Sequence, residues 1–155
     1  MPETLTSGAA RVAVSGGAAE PTPPAGYRTM VLGDPFEAFV GPFFEREDED
    51  GRLWIAFRVD LRHTNAEGQA HEGMLMTFAD AALGSCTWNA NDRKPCVTLS
   101  MQMSVLQAPM EGDLVECCTQ LTRKTPAILF ASAEFFVRGE LMATFTSLWK
   151  VIGAR

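Results

Sequence analysis

A chain of 155 residues, 46% apolar and 21% charged, is long enough for one domain with a sizeable core. Its net charge of -6 argues against nucleic acid, which needs clustered Lys and Arg, but leaves room for a small phosphorylated ligand held by a few local cations. Four cysteines (Cys86, Cys96, Cys117 and Cys118) form no CxxC pair, and the N-terminus has no signal-like apolar run. Reduced thiols in a cytoplasmic protein are therefore expected.

Residues 1–26 are rich in Ala, Gly, Pro, Ser and Thr and end in Pro21-Thr-Pro-Pro-Ala-Gly26. This predicts a disordered lead-in, with the folded domain spanning 27–155. Residues 36–45 read as a strand. The acidic run 45–51 reads as a hairpin tip, with Asp50 and Gly51 tolerant of positive φ. Across 53–61, Leu53, Ile55, Phe57, Val59 and Leu61 alternate with Trp54, Ala56, Arg58 and Asp60, a half-buried strand. A polar loop over 62–70 follows, in which His63 reads as a loop histidine without a role. Residues 73–91 form an apolar segment whose Ala, Leu and Met content favours helix.

Four stretches of strand-like sequence come next. Val97 to Val105 alternates with Thr98, Ser100, Gln102 and Ser104; 114–123 follows a turn at 109–113; 128–138 and 141–152 pair across Arg138-Gly139-Glu140. The turns are read as supporting three strands, so the expected order is strand, strand, helix, strand, strand, strand. One wholly apolar helix with a run of antiparallel strands predicts an α+β domain in which the sheet wraps the helix.

Asp80 is the sole carboxylate between Glu72 and Asp92. Phe78, Ala79, Ala81, Ala82 and Leu83 surround it, so the helix offers it no polar face. Burying a lone carboxylate costs several kcal/mol unless it is paired or hydrogen-bonded. Its presence predicts a role in chemistry or in fold specificity, and it makes a membrane-spanning helix unexpected.

The segment Asn65-Ala-Glu-Gly68-Gln-Ala-His71-Glu72-Gly73, with Asp80 beyond it, resembles the hotdog-fold acyl-CoA thioesterases of the PaaI-like branch. Asn65, Gly68, His71, Gly73 and Asp80 fall at that family's spacing. The strand after the helix and the turn Pro109-Met-Glu-Gly112-Asp113 also look like the family's, so the resemblance covers roughly residues 34–152. The family has His-Gly-Gly where this chain has His71-Glu72-Gly73. Glu72 keeps the backbone N–H, and helix N-termini aim such donors at anions.

The resemblance implies a hotdog fold and hydrolysis of an acyl-CoA thioester without a metal, CoA being part of the substrate and not a separate cofactor. It implies a carbonyl polarised by the Glu72 N–H with help from Asn65 and His71. Asp80 of the other subunit would act as base or nucleophile, with Thr98 of that same subunit holding the water or the carboxylate. It also implies a homodimer, with a dimer of dimers as an alternative. Arg123 and Lys124 are the best local pair for CoA phosphates. Two other readings stand beside hydrolysis: a non-catalytic acyl-CoA-binding hotdog protein and an enoyl-CoA hydratase. Taken singly, the residues have plainer roles. Asn65 would form a turn with Gly68, His71 would start the helix, Thr98 would be a strand residue, and Arg123-Lys124 a solvated turn.

Overall fold

The computed structural model describes residues 22–153. The expected disordered lead-in lies outside the described residues up to position 21. From Arg28 the elements run β1 (Arg28–Thr29), α1 (Pro35–Val40), β2 (Phe44–Glu47), β3 (Leu53–Arg58), a 3-10 turn (Leu61–His63), α2 (Glu72–Ala90), β4 (Cys96–Val105), β5 (Leu114–Lys124), β6 (Ile128–Val137) and β7 (Glu140–Val151). All neighbouring strands are antiparallel, in the order β1-β2-β3-β5-β6-β7-β4.

α2 packs across the inner face of this sheet, touching β3 to β7. That is the α+β hotdog architecture expected from the sequence. The core is threaded by aromatic rings that meet edge-on or tilted. Phe78 of α2 meets Phe43, Phe57 and Phe135 at centroid distances of 5.2, 4.6 and 5.1 Å, and Phe135 meets Phe145 at 4.3 Å. Each buried ring contributes about 1.5–3 kcal/mol by removal from water. None of the described helices is long and apolar enough to cross a membrane.

Four expectations need correction. Four strands, not three, follow the long helix, because three turns join four strands. Residues 36–45 are not one strand: they divide into α1 and the start of β2. Asp34 caps α1 by accepting from the N–H groups of Phe36 and Glu37, and Pro35 fits the first turn. Leu61 leaves the core alternation and is 65% exposed, because the chain turns into the 3-10 segment after Asp60.

The fourth correction concerns α2. It is not covered on every side. Gly73, Asp80 and Trp88 are exposed and Thr77 and Gly84 half-buried, a stripe running along the β4 side of the helix, while Leu75, Phe78, Ala79, Ala82 and Leu83 are buried. Asp80 is exposed in the single chain, so its energetic cost there is not the one argued from its neighbours.

β4 is an edge strand with one irregularity. Thr98 pairs opposite Trp149 and Ser100 opposite Leu148, so Leu99 is an extra, bulged residue. Strict alternation would put Thr98 and Met101 on opposite faces. The bulge brings both to the wall of one cavity. Ser100 and Gln102 instead share a groove of about 350 Å³ with Thr146 and Leu148. On β7 the buried Phe145 and Trp149 mark the inner face, so Thr146 and Leu148 mark the outer one.

Candidate active site

The approach to α2 is built by short-range bonds. Asn65 Oδ1 accepts from the N–H groups of Glu67 and Gln69, both at 3.0 Å, closing a polar turn that Gly68 completes at φ 75°. The Asn65 amide reaches Gln69 Oε1 at 3.4 Å. His71 is the N-cap of α2, with Nδ1 accepting from the Gly73 N–H at 2.9 Å. Glycine at 73 suits this close approach, since a Cβ there would lie 3.1 Å from His71 Nδ1 and the imidazole would have to give by a few tenths of an ångström. With the Gly73 donor engaged, the Glu72 N–H is left at the first helical position with no acceptor among the described residues.

Two turns along α2, Asp80 Oδ1 accepts a 2.6 Å hydrogen bond from the Thr98 hydroxyl on β4. Both line a cavity of about 500 Å³ between α1, α2 and β4, with Asp34, Phe36, Glu37, Gly73, Met76, Thr77 and Met101. Among the described residues its lining holds three carboxylates and no cationic side chain. Burial raises the Glu37 carboxyl above its usual range, and the charges of Asp34 and Asp80 add to the effect.

The structure thus brings Asp80, Thr98 and Gly73 to one cavity. Asn65, His71 and Glu72 gather at the lead-in to the same helix, outside the cavity lining. Arg123 and Lys124 sit elsewhere, at the end of β5. Lys124 Nζ donates to the carbonyl of Ala90 at 2.7 Å, capping the far end of α2.

The sequence reading missed Asp34, Phe36, Glu37 and Met101. An Asp-Pro pair ahead of a short apolar run was the available signal for the first three. It also misjudged His63, which is buried. Its Nδ1 accepts from the Asp60 N–H at 3.1 Å, which leaves Nε2–H to donate to the Val40 carbonyl at 2.8 Å. The His63 carbonyl accepts from the His71 N–H at 2.8 Å. Arg62 adds bonds to the carbonyls of Phe39 and Gly41. Together these residues fasten the end of α1 to the start of α2.

The family model of the thioesterase superfamily matches residues 67–143, from the Asn65 turn through β6 into β7. A Pseudomonas aeruginosa protein named "Putative esterase PA0474" is 30% identical over 127 residues, covering 81% of this chain and 95% of the relative. The chain belongs to the thioesterase superfamily. Among solved structures, a single-residue variant of the phenylacetic acid degradation protein PaaI from Thermus thermophilus is 27% identical with a TM-score of 0.66, covering 77% of this chain and all (100%) of that one. A Streptococcus mutans protein bound to acetyl CoA shares the fold at 20% identity and a TM-score of 0.64, over 74% of this chain and 92% of that one. The class of chemistry is thioester hydrolysis in general.

Proposed function

We propose that this protein hydrolyses acyl-CoA thioesters at a site shared between two copies of the chain. One observation carries the reading. The unengaged Glu72 N–H and the Asp80 carboxylate lie on one helix eight residues apart, about 12 Å along its axis. Within one chain they are too far apart to act on the same carbonyl. A second copy with its helix antiparallel beside the first would bring each N–H to the other's Asp80, and such two-fold contacts form both sites at once.

In this reading the thioester oxygen accepts from the Glu72 N–H, where the helix dipole favours the developing negative charge. Asp80 of the other copy takes a proton from water as the oxygen of that water attacks the carbonyl carbon. Collapse of the oxyanion breaks the C–S bond, and the proton passes to the departing thiolate. Thr98 donates to Asp80 and retains lone pairs to hold the water. Asn65 and His71 position the donor by shaping the lead-in to α2.

The CoA-bound relative supports a CoA-type leaving group. Ala90 lies ten residues beyond Asp80, about 15 Å. Lys124 of the second copy would therefore stand one cofactor arm from the thioester, with two of its three N–H donors free of Ala90. Arg123 and Lys124 are accordingly the proposed phosphate contacts. The four free cysteines fit a reducing, cytoplasmic setting.

The test follows free-thiol release from short, long and aromatic acyl-CoAs by wild type and Asp80→Asn. A loss of about 10²–10⁴-fold in the variant is expected. Wild-type release no faster than buffer across the panel would reject hydrolysis. Glu72, in place of the family's glycine, favours the non-catalytic acyl-CoA binder as second reading. Tight acyl-CoA binding without turnover, restored to turnover by Glu72→Gly, would establish it.

A further inference from the structure

The cavity wall opposite Asp80 comes from α1. Of the three carboxylates in the lining, Asp34 Oδ1 is engaged in capping α1 through the N–H groups of Phe36 and Glu37, at 2.8 and 3.2 Å. Asp80 Oδ1 holds the Thr98 hydroxyl. The Glu37 side chain accepts no hydrogen bond and makes no ion pair among the described residues, although its backbone carbonyl is held by the Gly41 N–H at 2.7 Å. The nearby guanidinium of Arg62 is turned to Asp60 and to the carbonyls of Phe39 and Gly41, and it does not line the cavity. Much of the remaining lining is apolar, with Phe36, Met76 and Met101.

We propose that Glu37 selects the acyl group, favouring acyl chains that end in a hydroxyl and rejecting those that end in a carboxylate. The inference rests on the reading of this cavity as a thioester site. An apolar chain passing Asp80 along Phe36, Met76 and Met101 meets at the α1 wall the Glu37 carboxylate, neither of whose oxygens is engaged among the described residues, whereas Asp34 and Asp80 each have one oxygen engaged. A hydroxyl donating to it forms a charge-assisted bond in a partly desolvated cleft, the stronger class of hydrogen bond. A terminal carboxylate meets Glu37, Asp34 and Asp80 together, with no cation in the lining to offset the repulsion. Glu37 is then a specificity residue, contributed by an element that packs beside the reacting groups without carrying them.

The experiment uses matched six- and eight-carbon sets ending in methyl, hydroxyl or carboxylate. Each is made both as a CoA thioether, for calorimetric binding, and as a CoA thioester, for hydrolysis, and both are measured on wild type, Glu37→Gln and Glu37→Leu. Wild type should bind hydroxyl ends about tenfold more tightly than methyl ends and carboxylate ends about tenfold more weakly. Glu37→Leu should abolish both preferences. Glu37→Gln, close in shape, should relieve the carboxylate penalty and keep part of the hydroxyl preference. Unchanged preferences in both variants would overturn the proposal. Glu37-dependent binding without hydrolysis would uphold selection and reject thioesterase activity. Hydrolysis with identical preferences in all three proteins would do the reverse. Failure of every thioether to bind would reject both.

Discussion

Replacing Glu72 by proline removes the peptide N–H together with the side chain, and Glu72→Ala, which removes the side chain alone, is the control that isolates the N–H. Proline suits the first turn of a helix, and His71 before it is already extended at φ -62° and ψ 138°, so the substitution fits the backbone. Turnover should fall by about 10²–10³-fold with little change in melting temperature. A variant that melts like wild type and turns over like wild type would exclude the Glu72 N–H as oxyanion donor. Thr98→Val keeps the shape and removes the donor to Asp80, and kcat should fall by roughly tenfold. The candidate residues were legible because their spacing is a local property. Thr98 was legible as the hydroxyl beside the water or the carboxylate, but the bulge of a single residue at Leu99 that puts Thr98 and Met101 on one face was not, because the sequence alternates strictly along β4.

α1 shows what short elements conceal. Its apolar Phe36, Phe39 and Val40 read as strand residues, and six residues are too few for helical periodicity to emerge. The Asp34 cap decides the matter locally, and Arg62 and His63 then fix the helix to the lead-in of α2. α2, by contrast, was legible from length and composition, yet its open stripe was not, since Gly73, Thr77 and Gly84 look as apolar or neutral as a buried face. His63 gives this junction a pH dependence. Burial chiefly lowers its pKa, opposed by Asp60 and by the bond to Val40, with Arg62 adding to the lowering. The unfolded chain therefore binds more protons than the folded one below about pH 6.5, and stability declines as pH falls from there through the folded-state pKa. Urea unfolding at stepped pH should show that decline in wild type and a flatter profile in His63→Gln. An equal slope in the two proteins would assign the effect elsewhere.

At the scale of the whole molecule, a site divided between two chains makes a prediction that no single-chain site shares. Asp80→Asn and Glu72→Pro are each expected to be inactive. In a mixed dimer one of the two sites takes its Glu72 N–H from the first chain and its Asp80 from the second, and is intact. Equal mixing with subunit exchange should restore about a quarter of the wild-type sites, given two equivalent sites per two-fold dimer. No recovery after confirmed exchange would reject the shared site, and a folded monomer by sedimentation at working concentration would do so directly. The surface available for such pairing is the open stripe of α2, where Gly73, Asp80 and Trp88 are exposed.

Leu99 is a spare residue in the β4 edge. Thr98 and Ser100 already face consecutive partners on β7, as if nothing stood between them. Deleting Leu99 should therefore leave the Thr98 hydroxyl on Asp80 and turnover near wild type, while straightening the strand. A straight, uncharged edge is the kind on which chains add without limit, and bulges are one of the devices that stop them. The deletion variant should accordingly scatter light on concentration or gentle heating where wild type stays clear. Leu99 would then govern not what the protein reacts with, but how many copies of itself it will accept.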